Sequence, residues 1–123
     1  MDIKFIILFV VVDAVVVLLV LKKVLGPVSE AKARQLFQAG AKVIDVRSLA
    51  EFNSGHIRGA VNIPYDEIGV RIETVAPDKS TPLLVHCLSG GRSAVARGAL
   101  RRKGYTQVHN LGSLNRARKI VEA

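Results

Sequence analysis

Residues 3–21, IKFIILFVVVDAVVVLLVL, leave little freedom in what the first part of this 123-residue chain can become. Sixteen of these positions are Ile, Leu, Val or Phe, and only Lys4 and Asp13 carry charge. Coiled as a helix, the run reaches roughly 28 Å, close to the ~30 Å of a bilayer's hydrocarbon core. Each apolar residue favours insertion by about 0.3–0.6 kcal/mol. Together they outweigh the roughly 2.5–3.5 kcal/mol cost of a central aspartate. A buried core helix or a cleaved secretory leader would also be apolar. The run is longer than a leader's apolar region, however, and no small-x-small cleavage site follows it. The sequence therefore predicts a transmembrane anchor over residues 1–23, a linker over 24–28 and one domain over 29–123.

Charge gives the anchor a direction. Lys22, Lys23, Lys32 and Arg34 follow the run, whereas Lys4 is the only basic side chain before its end. The positive-inside tendency predicts a single-pass protein of the cell inner membrane with its domain facing the cytoplasm. One unpaired cysteine suits that reducing compartment. Lys4 is the only base and Asp2 and Asp13 the only acids before residue 22, so residues 22–123 hold 17 Lys/Arg against 8 Asp/Glu. For a domain tethered at an anionic leaflet, membrane lipid is the simplest partner of that excess. With four Phe, two Tyr and no Trp there is no stacking platform for single strands, and no nucleic acid is expected.

Beyond Gly26-Pro27 the chain alternates short apolar runs with helical patterns. Ser29 reads as the N-cap of a helix over 30–39 that stops at Gly40. KVIDVR (42–47) reads as a buried strand, 49–53 as a helical turn, and 60–62 as a brief strand ended by Pro64. Residues 66–75 read as a helix with Asp66 and Glu67 in its first turn. PLLVH (82–86) is a fully buried strand and 91–103 a helix stopped by Gly104. A last strand over 107–110 and a helix over 113–121 complete the pattern. Such alternation predicts an α/β fold, a mainly parallel sheet with helices on both faces.

The only cysteine stands where ligands bind such sheets, just past a strand's carboxyl end, in HCLSGGRSA. Gly90 and Gly91 allow a tight turn whose amides point inward as an anion nest. The following helix adds the positive end of its dipole, and Arg92 a permanent cation. All three predict a thiol at Cys87 that ionises below its free value of about 8.5. A buried, inert cysteine at a strand end is the plainer alternative, but it has no need of such a nest. His86 should point to the opposite face and pack. His109 reads as a surface residue, and Arg97, Arg101, Arg102 and Lys103 as a solvated face. Three scattered histidines and one cysteine make no metal site.

The strand–Cys87-x-x-x-x-Arg92-Ser93–helix element resembles the active-site loop of the rhodanese (sulfurtransferase) family. A second match is Ile44-Asp45-Val46-Arg47-Ser48, then Glu51-Phe52, then Gly55-His56-Ile57-Arg58-Gly59-Ala60-Val61-Asn62-Ile63-Pro64. The likeness runs from about Ser29 to Gly112 and is similar to the membrane-anchored, single-domain type. It implies a three-layer rhodanese-like fold and sulfane-sulfur transfer without a cofactor. The thiosulfate or persulfide donor and the thiol acceptor would be small molecules or proteins. It also implies roles: Cys87 as nucleophile and persulfide carrier, and Arg92 closing the loop. Leu88, Ser89, Gly90, Gly91, Ser93 and Arg47 would contact substrate, with Asp45, His56 and Arg47 itself as structural support near the pocket. From Cys87 to Arg92 the loop has the six residues of sulfurtransferases, one fewer than the related phosphatases. The residues between Cys87 and Arg92 carry no charge, so donor recognition is expected outside them. The other reading is a membrane-tethered binding module that keeps the fold without the activity.

Overall fold

The computed structural model describes residues 1–122; Ala123, the last residue of the expected 29–123 domain, lies outside the described residues. Two aliphatic strands set the architecture, because both of their faces are buried. β1 (Lys42–Asp45) and β3 (Leu83–His86) pair in parallel, Ile44 opposite Val85 and Asp45 opposite His86. β2 (Val61–Asn62) and β4 (Val108–Gly112) add in parallel on the two sides, giving the order β2-β1-β3-β4.

Side chains alternate across this sheet with period two and so build two cores. Ile44, Leu83, Val85 and Val108 meet Ile68 and Ile72 of α4 (Ile68–Val75) and Ala96 and Leu100 of α5 (Gly91–Arg102). Val43, Leu84 and Leu111 meet Ala33 of α2 (Glu30–Gln38) and Leu114, Ala117 and Ile120 of α6 (Leu114–Val121). These are the three layers the sequence implies. Short serine caps start the helices as expected: Ser29 accepts from the Lys32 amide and Ser113 from the Arg116 amide. Ser48 opens α3 (Leu49–Asn53) in a reciprocal capping box with Glu51.

Most element ends shift by a residue or two from the sequence reading, and three of the shifts have a visible cause. Asp66 and Glu67 precede α4, because Pro64 starts a turn in which the Glu67 amide donates to the Pro64 carbonyl at 2.9 Å. β4 runs to Gly112, where the Asn110 side chain accepts from the Gly112 amide at 2.8 Å and shapes the strand's end. α1 (Ile3–Leu25) runs two residues into the expected linker, because the Gly26 amide closes on the Lys22 carbonyl and Pro27 forbids another turn. A side chain at position 26 would put its Cβ 2.2 Å from the Lys22 carbonyl oxygen, so the exit from α1 requires glycine.

α1 is long and apolar enough over Ile3–Val24 to cross a membrane, and the large apolar side chains of that stretch face outward on all sides. Arg97 is not part of a solvated face. Its guanidinium donates to the Val24 carbonyl at 3.0 Å and the Val108 carbonyl at 3.1 Å, bridging the end of α1 to β4.

Arg47 sits deep, beside Asp45. Its guanidinium lies inside the protein, 3 % exposed, on the Asp45 carboxylate at 2.8–3.0 Å and the Gly55 carbonyl at 2.8 Å. Its Nε and one terminal nitrogen are taken by the buried carboxylate and a turn carbonyl, so the part the structure gives this residue is structural. It braces the turn after α3, and removing one partner of such a buried pair costs about 3–5 kcal/mol. The Asn62 amide spans the Asp45 and Arg47 carbonyls at 3.0 and 2.9 Å, tying β2 to the same brace.

Candidate active site

Cys87 is the first residue beyond β3 and continues the Leu83–Val85 face into the α4–α5 core, only 1 % exposed. Its amide donates to the Gly112 carbonyl at 3.2 Å, so β4 fixes where the thiol-bearing residue sits. The loop then turns back at Gly90, whose φ of +104° only glycine adopts without strain. A Cβ at that position would also stand 3.4 Å from the Gly112 Cα. The turn brings the Gly90 amide to 3.0 Å from the Cys87 Sγ. Ser93, buried one helical turn into α5, places its hydroxyl 3.4 Å from the same sulfur.

That hydroxyl has one proton and two acceptors, the sulfur and the Gly90 carbonyl at 3.0 Å. A charged sulfur attracts it more strongly than a neutral carbonyl does, so ionisation of Cys87 recruits Ser93. Burial pushes the Cys87 thiol up. The Ser93 hydroxyl and the amides of Ser93, Gly90 and Ser89 more than offset that, and the thiol ionises below its ordinary value. The lowered pKa expected from the sequence is present, and hydrogen bonds produce it.

Arg92 gives its hydrogen bonds to Glu51 while its charge stays within reach of the sulfur. Its two terminal nitrogens grip the Glu51 carboxylate at 2.6 and 3.0 Å, a bidentate pair between the loop and α3. Glu51 also accepts from the Ser48 amide at 3.2 Å and the Ser48 hydroxyl at 3.1 Å. The Arg92 pair, with Ser48, holds its pKa near 2 against 4.5 ordinarily. The loop is thus clamped at both ends: by Glu51 through Arg92, and by β4 through Gly112. Midway, Ser89 bridges to Ser113 and the Leu88 carbonyl accepts the Leu114 amide at 3.3 Å. The Leu88 side chain stands exposed at the rim, and Gly91 begins α5.

Glu51 and Asn110 were missed as site residues. The Ser48-x-x-Glu51 spacing marks a capping box in the sequence, but nothing local ties Glu51 to an arginine 41 positions away. Asn110 reaches the Gly90 carbonyl at 3.4 Å from β4. Asp45 supports the site from below through Arg47. His56 lies apart from the sulfur, stacked on Phe52 at 3.7 Å with Nδ1 2.9 Å from the Phe52 carbonyl. His86 is fully buried, Nδ1 3.3 Å from the Cys87 carbonyl, and Nε2 lacks a hydrogen-bond partner among the described residues. Burial holds its pKa below the ordinary value although Asp45 pulls it up, so the ring packs as a neutral group.

Comparison with known proteins gives one consistent match. The profile described as "Rhodanese-like domain" matches residues 29–116. Thiosulfate sulfurtransferase PspE of Escherichia coli (strain K12) is 42 % identical over 71 residues, spanning 58 % of this chain and 68 % of that protein. The solved structure titled "rhodanese with anions from E. coli" superposes with a TM-score of 0.61 at 39 % identity, covering 63 % of this chain and 91 % of that one. The human single-domain sulfurtransferase TSTD1 superposes with a TM-score of 0.65 at 29 % identity, covering 76 % and 95 %.

The Glu51–Arg92 clamp sets an acid limit. Because the Glu51 carboxyl ionises more readily folded than unfolded, its contribution is complete above pH 4.5 and is lost as pH falls toward 2. Denaturation of the parent and of Glu51→Gln, followed between those two pH values, should show the parent losing its advantage over the variant across that window. A constant difference would contradict the clamp.

Proposed function

The chain belongs to the rhodanese-like domain family, and from that membership we propose a sulfurtransferase that carries sulfane sulfur as a persulfide on Cys87. The observation that carries this reading is the Cys87 sulfur held by the Gly90 amide at 3.0 Å and the Ser93 hydroxyl at 3.4 Å. Such a cradle stabilises a thiolate before reaction and an anionic sulfur after it.

The thiolate attacks the outer sulfur of the donor. A new S–S bond forms to Cys87 and the donor's S–S bond breaks, its electron pair leaving with sulfite from thiosulfate or with a thiolate from a persulfide. The terminal sulfur on Cys87 is then anionic and sits among the inward amides of the loop. An acceptor thiolate attacks that sulfur, takes it as a new persulfide and returns Cys87 to its thiolate. Ser93 supplies a hydrogen bond to whichever sulfur bears the charge, and no redox partner is consumed. Leu88, Ser89 and the glycines supply shape and amides without side-chain charge, so selectivity among donors comes from the rim.

In the same reading α1 spans the cell inner membrane once and leaves the domain in the cytoplasm. Support comes from the outward apolar surface of Ile3–Val24 and from Lys22 and Lys23 in its last turn. Donor and acceptor are then small molecules or proteins that reach the membrane surface.

Incubation of the full chain in mild detergent with thiosulfate, or with a small persulfide, tests the chemistry by intact-mass spectrometry. The expected result is a gain of one sulfur atom that a thiol acceptor removes and that Cys87→Ser abolishes. No adduct from either donor would instead favour a binding module. A reporter fused after residue 122 tests the orientation: activity of a cytoplasm-only reporter is expected, and activity of a periplasm-only reporter overturns it.

A further inference from the structure

A second feature lies away from the sulfur, where α1 meets the domain. A cleft of about 500 Å³ opens there, floored by Gly26-Pro27-Val28 and lined by Lys22, Lys23, Lys32, Arg97, Arg101 and Arg116. These six cations come from four helices, and no carboxylate lines the cleft among the described residues. None of the six forms an ion pair with a described residue, whereas Arg47, Arg71, Lys79, Arg92, Lys103 and Lys119 all do. Two of the six are held rigidly. Arg97 is fixed by the Val24 and Val108 carbonyls, and Arg116 by the Leu111 and Val28 carbonyls. Like charges held together in a concave site, without a counter-charge from the protein, call for an anion.

We propose that this cleft binds a phosphate group, supplied by the headgroup of an anionic phospholipid at the membrane surface into which α1 inserts. Position argues for the lipid source: Lys22 and Lys23 form the last turn of the apolar helix, the level at which a spanning helix leaves the hydrocarbon. Chemistry argues for phosphate, since guanidinium forks and clustered ammonium groups suit its several oxygens. His109, half-buried in the same cleft, reports the field. Burial lowers its pKa, and Lys32, Arg97 and Arg101 lower it further. The sequence reads His109 as a surface residue, whereas the structure half-buries it in the wall of this cleft. The cleft also touches the sulfur loop through Asn110, which lines it and reaches the Gly90 carbonyl. The lipid source rests on the reading of α1 as a span; the phosphate site itself does not.

The test uses the full chain with isotope-labelled histidine in nanodiscs of phosphatidylcholine alone or mixed with phosphatidylglycerol, read by the titration of its three histidine rings. An anion in contact with these cations should raise the His109 pKa by about one unit in the mixed discs. Exposed His56 should move little, and Lys32→Gln with Arg101→Gln should remove most of the His109 shift. An equal shift at His56 and His109 would mean general surface potential and overturn the site. A shift produced by inorganic phosphate in phosphatidylcholine discs, with none from phosphatidylglycerol, would overturn the lipid source. No shift under either condition overturns the proposal. Failure of the chain to enter phosphatidylcholine discs at all would instead refute the membrane span, and inorganic phosphate would still report on the cleft.

Discussion

The left-handed turn at Gly90 is the constraint on which the site depends. It reverses the chain within three residues of Cys87 and turns an amide onto the sulfur at 3.0 Å. The turn is possible because position 90 has no Cβ, which would both strain the backbone and press on Gly112. Everything around it resists relaxation. Gly112 fixes the Cys87 amide, Ser113 bridges to Ser89, and Arg92 ties the helix start to Glu51. A nearly buried thiol would ordinarily resist ionisation; here the desolvation is answered by groups already aimed at the charge.

The sheet explains why these parts meet. Parallel strands with two buried faces deliver their carboxyl ends to one edge, where Cys87 follows β3 and Gly112 ends β4. Period two sends Cys87 into one core while Asp45, Arg47 and His86 form a buried polar brace beneath the neighbouring strand ends. The division of labour is physical. Arg47 and Asp45 hold the turn that follows α3, and α3 presents Glu51 to the loop.

Much of this was legible in the residues. The aliphatic runs of β1 and β3 are unambiguous, and Ser29 announces its helix because capping is a local interaction. The cysteine, two glycines and arginine likewise form one local sentence. Long-range pairings were not legible. Glu51 and Arg92 are 41 residues apart, and Arg97 reaches back to a carbonyl of α1 that no spacing rule connects to it. The inward turn of the Arg47 guanidinium was hidden for the same reason: nothing in the sequence ties it to the Gly55 carbonyl. Asp66 and Glu67 look like helix-start residues, but a proline turn precedes the helix and leaves them outside it.

The central claim is that hydrogen bonds to the sulfur, from a loop with no charge between Cys87 and Arg92, prepare Cys87 for reaction. The most direct measurement is the rate of a single sulfur transfer to the full chain from a donor whose own charge does not change, taken across pH. The account predicts a rate that rises with one ionisation whose midpoint lies below that of a free cysteine thiol, and a higher midpoint in Ser93→Ala. A midpoint at or above the free value, unmoved by loss of the Ser93 hydroxyl, would contradict it.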